Sequence, residues 1–308
     1  MKILVGSTGF VGSNLRAETN FDGTYHSVDV QMAYGSHPDL LVYAGLPAAK
    51  FLANKNPQAD MEQIYAAENN IQMINPEKLI LISTIDVFAN PVQVDENTRI
   101  SVEGLSAYGL NRYRLECWVR EHYPDALIVR LPGLFGRNLK KNFIYDMLHP
   151  IPSMLSVDRF KEFNAREKLL EKYYILQENG FYKSNFDESN LAVRQELLSA
   201  FEKLKFSALM FTDSRSTYQF YPLSRLWDDI NVALEHDIKL LHLATEPVGA
   251  GELYNSLVSE EFINEFMDEP VHYDYRTVHA SVFGGDSAGY IMDKEMVMSA
   301  IKEFVSES

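Results

Sequence analysis

Three glycines, spaced three residues apart, follow a short apolar run at the start of the sequence. Residues 3–5 are Ile, Leu and Val, which is typical of a buried parallel strand, and they lead into Gly6-Ser-Thr-Gly9-Phe-Val-Gly12 and a helical segment. Glycines let the backbone turn tightly and approach a pyrophosphate, whose charge is stabilised by the positive end of the next helix. The pattern therefore predicts a dinucleotide site in an α/β protein, although a glycine turn that only packs a helix on a sheet has the same letters. The residues expected to contact the dinucleotide here are Gly6, Thr8, Gly9, Phe10, Val11 and Gly12.

An acidic residue after the second predicted strand indicates which dinucleotide is bound. Residues 25–28 are predicted to form that strand, and Asp29 lies 23 positions beyond Gly6, near the separation at which a carboxylate binds the adenine ribose. No arginine follows to hold a 2′-phosphate, so NAD is favoured, with NADP and an ordinary turn aspartate as the alternatives. The next predicted strand, residues 39–43, ends at Ala44 and Gly45, whose small size lets the backbone pass close to the cofactor. About 10 residues before it are too few for a full crossover, so one crossover is shortened.

Composition narrows the class of partner. The chain has 308 residues, 46% of them hydrophobic, which is enough for an extensive core. A formal net charge of −15 repels nucleic acids and anionic membranes, so a small-molecule substrate is expected. The single Cys117 cannot form an internal disulfide, no apolar run reaches the ~18 residues of a membrane span, and the histidines lack metal-ligand spacing. We therefore expect a cytoplasmic protein without a metal.

A phenol and a cation lie one helical turn apart downstream. Residues 78–82 form an apolar run that places Ser83 and Thr84 at the carboxyl end of a strand, where ligands of open α/β sheets bind. Tyr108 and Arg112 are four apart in a predicted helix and so share one face. A free phenol exchanges protons poorly near neutral pH unless a nearby cation favours the phenolate, and Arg112 can supply that charge to Tyr108.

These segments together resemble the extended short-chain dehydrogenases/reductases, the NAD-dependent epimerase/dehydratase family. The resemblance is strongest to the branch of nucleotide-sugar epimerases and dTDP-4-dehydrorhamnose reductases, and it covers residues 1–136. It rests on the glycine motif, on Ile82-Ser-Thr-Ile-Asp-Val-Phe88, on Ser106-Ala-Tyr108 through Arg112, and on Val129-Arg-Leu-Pro-Gly-Leu-Phe-Gly136. It implies a Rossmann-like doubly wound parallel sheet, with a smaller, interleaved C-terminal substrate-binding region and a helical insert.

The resemblance also implies roles for individual residues. Tyr108 would exchange a proton with the reacting sugar oxygen, Thr84 would hydrogen-bond the same oxygen, and a hydride would pass to or from the nicotinamide. Arg112 stands where the family has a lysine that binds the nicotinamide ribose, and a planar guanidinium with fixed hydrogen-bond directions is expected to bind that ribose less well. Further cofactor contacts are implied for Ala44, Gly45, Ser83, Tyr108, Arg112 and Leu131.

Two departures from the family pattern bear on the reaction. Family dehydratases carry an Asp-Glu pair after the threonine, whereas this chain has Ile85 and Asp86, which favours epimerisation or 4-keto reduction over dehydration. The loss of the lysine keeps a second hypothesis open, a dinucleotide-binding sensor or scaffold without turnover. Asp86 is assigned to substrate binding, with a cap at the strand end as the alternative.

The second half is expected to bind the substrate, a nucleotide sugar. Residues 1–136 are assigned to the dinucleotide-binding domain and 137–308 to the substrate-binding region, with a helical insert at 155–205. A strand at 206–211, a helix at 222–235 and a strand at 239–243 are expected to return to the first domain. The family also implies a homodimer through helices at 60–74 and 105–121. Cationic or polar candidates for the substrate, each of which could instead lie in a solvated loop, are Arg137, Lys140, Asn142 and Arg215.

Overall fold

A computed structural model describes residues 1–307 of the chain. Within them the strands are β1 (Lys2–Val5), β2 (Gly23–Tyr25), β3 (Leu40–Tyr43), β4 (Lys78–Thr84), β5 (Leu127–Leu131), β6 (Gly133–Phe135), β7 (Met154–Ser156), β8 (Tyr174–Leu176), β9 (Phe181–Ser184), β10 (Thr217–Tyr218), β11 (Phe220–Pro222), β12 (Leu240–His242) and β13 (Val248–Gly249). The helices are α1 (Phe10–Glu18), α2 (Lys50–Lys55), α3 (Pro57–Ile74), α4 (Ala107–His122), α5 (Phe143–Leu148), α6 (Val157–Arg166), α7 (Leu170–Tyr173), α8 (Leu191–Leu204), α9 (Leu226–Glu235), α10 (Ala250–Val258) and α11 (Lys294–Glu307). None of the helices in this described part is long and apolar enough to cross a bilayer.

Six parallel strands form the central sheet of the first of two compact units. Their order is β2-β1-β3-β4-β5-β12, so the chain starts near one edge and finishes the sheet at the other. This unit comprises residues 1–139, residues 217–249 and the chain from Val271 onward. The predicted fold class, an α/β protein with a Rossmann-like parallel sheet, is confirmed. The helix and strand expected at 222–235 and 239–243 are present as α9 and β12.

The crossover between β2 and β3 is shortened, as expected. It contains a single 3-10 turn, Val30–Ala33, in place of a helix. The strand expected at 25–28 was wrong beyond its first residue, because β2 ends at Tyr25. There the Asp29 carboxylate accepts a hydrogen bond from the His26 amide at 2.7 Å, which turns the chain away from the sheet.

Apolar side chains of the strands and of two long helices form the core on one face of the sheet. The periodic apolar positions of α3, which include Ile64, Ile71 and Ile74, are fully buried against residues of β1, β3 and β4. Helix α3 begins with an Asn56 cap that accepts from the Ala59 amide, followed by Pro57 at its first turn. Burial of this face places α4, which packs beside α3, next to the carboxyl end of β4.

The second unit comprises residues 140–216 and 250–270 and has a core of its own. Its segment at 155–205 is not only helical, since β7, β9 and β8 form a three-stranded antiparallel sheet beside α6, α7 and α8. The strand expected at 206–211 was also wrong, because Ala208–Phe211 forms a 3-10 turn. Phe206 lies 4.9 Å from the Phe163 ring, so this apolar run packs locally instead of joining a sheet.

Candidate active site

The glycine motif forms a tight turn between β1 and α1. Gly6 has a φ of +92°, which disfavours any other residue, and a Cβ built on it would lie 2.3 Å from the Ala44 carbonyl oxygen. A Cβ on Gly12 would lie 2.2 Å from the Gly6 carbonyl oxygen. Helix α1 starts at Phe10, directly after Gly9, so its first amides point to this turn. The turn thus presents amides and a helix N-terminus over a surface kept bare of side chains, which fits a pyrophosphate.

Substitution of Gly12 is expected to destabilise the first unit. Because the Cβ of Gly12→Ala would overlap backbone atoms that cannot rotate away, the free energy of unfolding should fall by about 1–3 kcal/mol. Urea unfolding followed by the fluorescence of Trp118 and Trp227, both in this unit, measures the loss. Gly9→Ala is the matched control, since Gly9 has a φ of −70° and its Cβ would lie 3.3 Å from the nearest atom. Equal stability of the two variants would contradict the prediction.

The carboxyl end of β4 carries the first polar groups of the site. Thr84 is buried and pairs in register with Leu131, the last residue of β5. Its hydroxyl accepts from the Asp86 amide at 3.2 Å and donates to the Asp86 carboxylate at 3.1 Å. The Ser83 hydroxyl instead donates to Glu116 at 2.6 Å, so Ser83 anchors the strand to α4. Asp86 therefore both caps the strand end and lies beside Thr84.

Tyr108 faces Thr84 from the first turn of α4. Ser106 caps this helix, and Gly109 lets it come close, since a Cβ on Gly109 would lie 2.1 Å from the Asp86 carbonyl oxygen. The Tyr108 phenol is buried and shares a hydrogen bond with the Thr84 hydroxyl. Burial raises the pKa of this phenol above its usual value, against the lowering effect of Arg112, and Asp86 adds to the rise. Arg112 thus favours the phenolate, as expected, but burial outweighs the cation, so the net shift of the phenol pKa is upward.

Arg112 lies beneath the Tyr108 ring. Its guanidinium carbon is 4.4 Å from the ring centroid, a cation–π contact. Its nitrogens donate to the Asp60 carboxylate at 2.7 Å and to the Pro47 carbonyl oxygen at 2.6 Å, and the side chain is only 3% exposed. Asn111 donates to the same carboxylate at 2.9 Å. Arg112 is thus part of a buried polar cluster that supports the phenol from below.

Two further residues at this site were not identified from the sequence. The Lys50 ammonium lies 2.5 Å from Asp86 and donates to the Tyr273 hydroxyl at 3.2 Å. Tyr273 in turn donates to the other Asp86 oxygen at 3.0 Å. Neither belongs to a recognisable motif: Lys50 follows the Ala44-Gly45 end of β3 by five residues, and Tyr273 lies in the C-terminal region, which was assigned to substrate binding only as a whole.

The other predicted ligands divide between the two units. Arg137 is in the first unit, where its backbone N–H and carbonyl are both bound by the buried Asn14 side chain, and its own side chain is exposed. In the second unit Lys140 is exposed and Asn142 caps α5 by accepting from the Tyr145 amide at 3.1 Å. There too Arg215 pairs with Asp213 at 2.8 Å and donates to the Met267 carbonyl oxygen at 2.6 Å. Their role in substrate binding stays a prediction.

The fold and the groups at its strand ends define the class of protein: a Rossmann-like α/β protein that has a glycine turn after β1 and a buried threonine–tyrosine pair at the end of β4. No protein-family model matches the chain, and no curated protein matches it significantly. Among solved structures it is similar to dTDP-4-dehydrorhamnose reductase from Bacillus anthracis, crystallised with NADP (15% identity, TM-score 0.64, 100% of this chain and 98% of that chain). It is also similar to a UDP-galactose 4-epimerase (12% identity, TM-score 0.61, 100% and 98%). A UDP-glucuronic acid 4-epimerase variant from Bacillus cereus, crystallised with NAD, is similar too (13% identity, TM-score 0.58, 100% and 99%). The resemblance inferred from the motifs is thereby confirmed at the level of the fold.

Proposed function

We propose that this protein is an NAD(P)-dependent oxidoreductase that acts on a nucleotide-linked sugar, by 4-keto reduction or by 4-epimerisation. The observation that carries the proposal is the Tyr108–Thr84 pair, which lies at the carboxyl end of β4 in the same unit as the glycine turn. The similar solved structures support it, since they are reductases and epimerases of nucleotide sugars. A dehydratase is disfavoured because Ile85 offers no second carboxyl group after the threonine.

The residues of the first unit fit a dinucleotide. Gly6 and Gly12 keep the turn before α1 bare, and the N-terminus of α1 would bind the pyrophosphate. Ala44 and Gly45 follow β3, the strand next to β1, and Leu131 ends β5 beside Thr84. All three therefore lie at the carboxyl end of the parallel sheet. A dinucleotide held by these residues would supply hydride transfer to or from the sugar carbon.

The chain's own residues would move the proton. With its pKa raised, Tyr108 is protonated at neutral pH and can donate its phenolic proton to the carbonyl oxygen of a keto sugar. The Thr84 hydroxyl is within hydrogen-bond reach of the phenol and would orient the same oxygen. Arg112, below the ring, limits the rise in the phenol pKa and stabilises the phenolate left after proton donation.

A sensor or scaffold that binds the dinucleotide without turnover is the second candidate. The observation that favours it is that two nitrogens of the buried Arg112 guanidinium already donate to Asp60 and Pro47 within the protein. Both candidates require dinucleotide binding, so turnover alone separates them.

One experiment tests both candidates. The purified protein is denatured, any released dinucleotide is identified, and the native protein is then incubated with NAD(H) or NADP(H) and a panel of nucleotide sugars and 4-keto sugars. Mass spectrometry follows conversion, with Tyr108→Phe as control. We expect conversion that depends on Tyr108. Dinucleotide binding with no Tyr108-dependent conversion of any sugar would favour the sensor.

Asp29 is expected to set the preference for NAD over NADP. Its carboxylate would accept hydrogen bonds from the ribose hydroxyls and repel a 2′-phosphate, so Asp29→Ala should weaken NAD binding roughly tenfold. Asp29→Asn is the matched control for the turn, because an amide oxygen can still accept from the His26 amide while the charge is lost. Calorimetric titration with both dinucleotides measures the preference. Tighter binding of NADPH by the native protein, with NAD binding unchanged in Asp29→Ala, would contradict the assignment.

A further inference from the structure

Lys50 places a cation at the site, next to Asp86, that the helix motif does not provide. It is the first residue of α2 and its side chain is half exposed, whereas Arg112 is buried. Two of the ammonium's three N–H groups meet the Asp86 carboxylate and the Tyr273 hydroxyl. The group is therefore held in place and still borders solvent.

Hydrogen bonds connect this ammonium to Tyr108 through two residues. Lys50 and Thr84 bind the same Asp86 oxygen, at 2.5 Å and 3.1 Å, and Thr84 shares a hydrogen bond with the phenol. Without Lys50, the negative charge of Asp86 would be unpaired near the Tyr108 phenol, which becomes anionic when it donates its proton. Lys50 neutralises that charge, with Tyr273 bound to both partners.

The ammonium remains charged across the neutral range. Burial lowers the pKa of Lys50, but the attraction of Asp86 and the contacts with Tyr273 outweigh it, so the pKa is raised overall. Lys50 is consequently a fixed cation and donor, not a group that gives up its proton in the reaction.

We propose that Lys50 and Arg112 together perform the role that a lysine at position 112 would have. Lys50 offers a hydrogen bond to the ligand, while the buried Arg112 stabilises the Tyr108 phenolate. The ligand is a polyhydroxylated one, the ribose of the dinucleotide proposed above, to which the half-exposed ammonium offers a hydrogen bond. The binding of ribose by Lys50 rests on the proposed function. The neutralisation of Asp86 near Tyr108 does not depend on the proposed function.

Lys50→Met, Lys50→Arg and the control Lys55→Met, at the other end of α2, test the inference. The first readout is the ionisation of Tyr108, followed by NMR in protein labelled at tyrosine Cζ, with Tyr108→Phe to identify the resonance. Arg112 and Lys50 lower the pKa of this phenol, and Asp86 raises it. Lys50→Met should therefore raise it further, Lys50→Arg should largely restore it, and Lys55→Met should leave it unchanged.

The second readout is the affinity for NADH, measured by fluorescence titration. Loss of a charged hydrogen bond in Lys50→Met should weaken binding about 10- to 100-fold, with Lys55→Met near the native value. An unchanged phenol pKa or an unchanged affinity in Lys50→Met would overturn the inference, while Tyr108-dependent sugar conversion by the native protein would still uphold the proposed function. If the native protein binds no dinucleotide, the proposed function fails, and the phenol titration alone decides whether Lys50 acts on Tyr108.

Discussion

Tyr108→Phe is expected to lower kcat for sugar conversion by about 100- to 10,000-fold, the usual contribution of a positioned acid or base. The substitution removes one oxygen and the hydrogen bond it shares with Thr84, while the ring can keep its stacking on Arg112. Because the lost interaction forms with the reacting oxygen, KM and dinucleotide affinity should change little. Steady-state kinetics together with a binding titration separate these quantities.

The pH dependence of the reaction rate is an independent test of the role of Tyr108. The pKa of Tyr108 is raised, chiefly by burial, so the phenol stays protonated throughout the neutral range. Keto reduction needs that proton, so its rate should fall only as the pH rises past the raised pKa. The reverse oxidation needs the phenolate and should rise over the same range.

Tyr123→Phe is the matched control for this prediction. Tyr123 lies just beyond the other end of α4, where its hydroxyl donates to the Ile71 carbonyl oxygen at 3.3 Å, outside the site. It should keep nearly native kinetics. If Tyr108→Phe retained a third or more of native kcat, the phenol would not be the proton donor.

The strands and the glycine turn could be predicted because local patterns determine them. Buried apolar runs specify β1, β3, β4 and β5, and Gly6 and Gly12 are required by backbone contacts that any side chain would block. Tyr108 and Arg112 were correctly placed on one helical face, since spacing alone decides that.

The partners of those residues could not be predicted, because they come from distant segments. Asp60 reaches Arg112 across 52 positions, and Tyr273 reaches Asp86 across 187. Lys50 has no periodic pattern around it, and the net effect on the Tyr108 phenol depends on burial, which follows from packing. Gly109, next to Tyr108, is a sequence signal for this packing, because a glycine in a helix indicates that another segment, here the one with Asp86, packs closely against it.

Glu116→Gln is expected to give the largest loss of stability. Glu116 is fully buried, and its carboxylate accepts from Ser83, from Arg130 at 2.6 and 3.0 Å, and from Arg120 at 2.9 Å. Arg130, 2% exposed, has Glu116 as its ion-pair partner within the described residues. Its other neighbour, His242, is neutral, since burial and then Arg130 lower the pKa of this histidine to about 3. An amide at position 116 would leave a buried cation uncompensated.

That loss should amount to about 3–5 kcal/mol, a large fraction of the roughly 5–15 kcal/mol that stabilises a folded domain. Urea unfolding followed by Trp118 and Trp227 fluorescence reports on the unit that contains the network. Arg120→Gln is the control, because that partner is 40% exposed and its ion pair should contribute less than about 1 kcal/mol.

In the double variant Glu116→Gln with Arg130→Met the charge is removed together with its partner, so the combined loss should be smaller than the sum of the two single losses. Additive losses would show that the network is not an electrostatic unit. Since Ser83 binds this network and immediately precedes Thr84, Glu116→Gln should also lower kcat in the protein that remains folded.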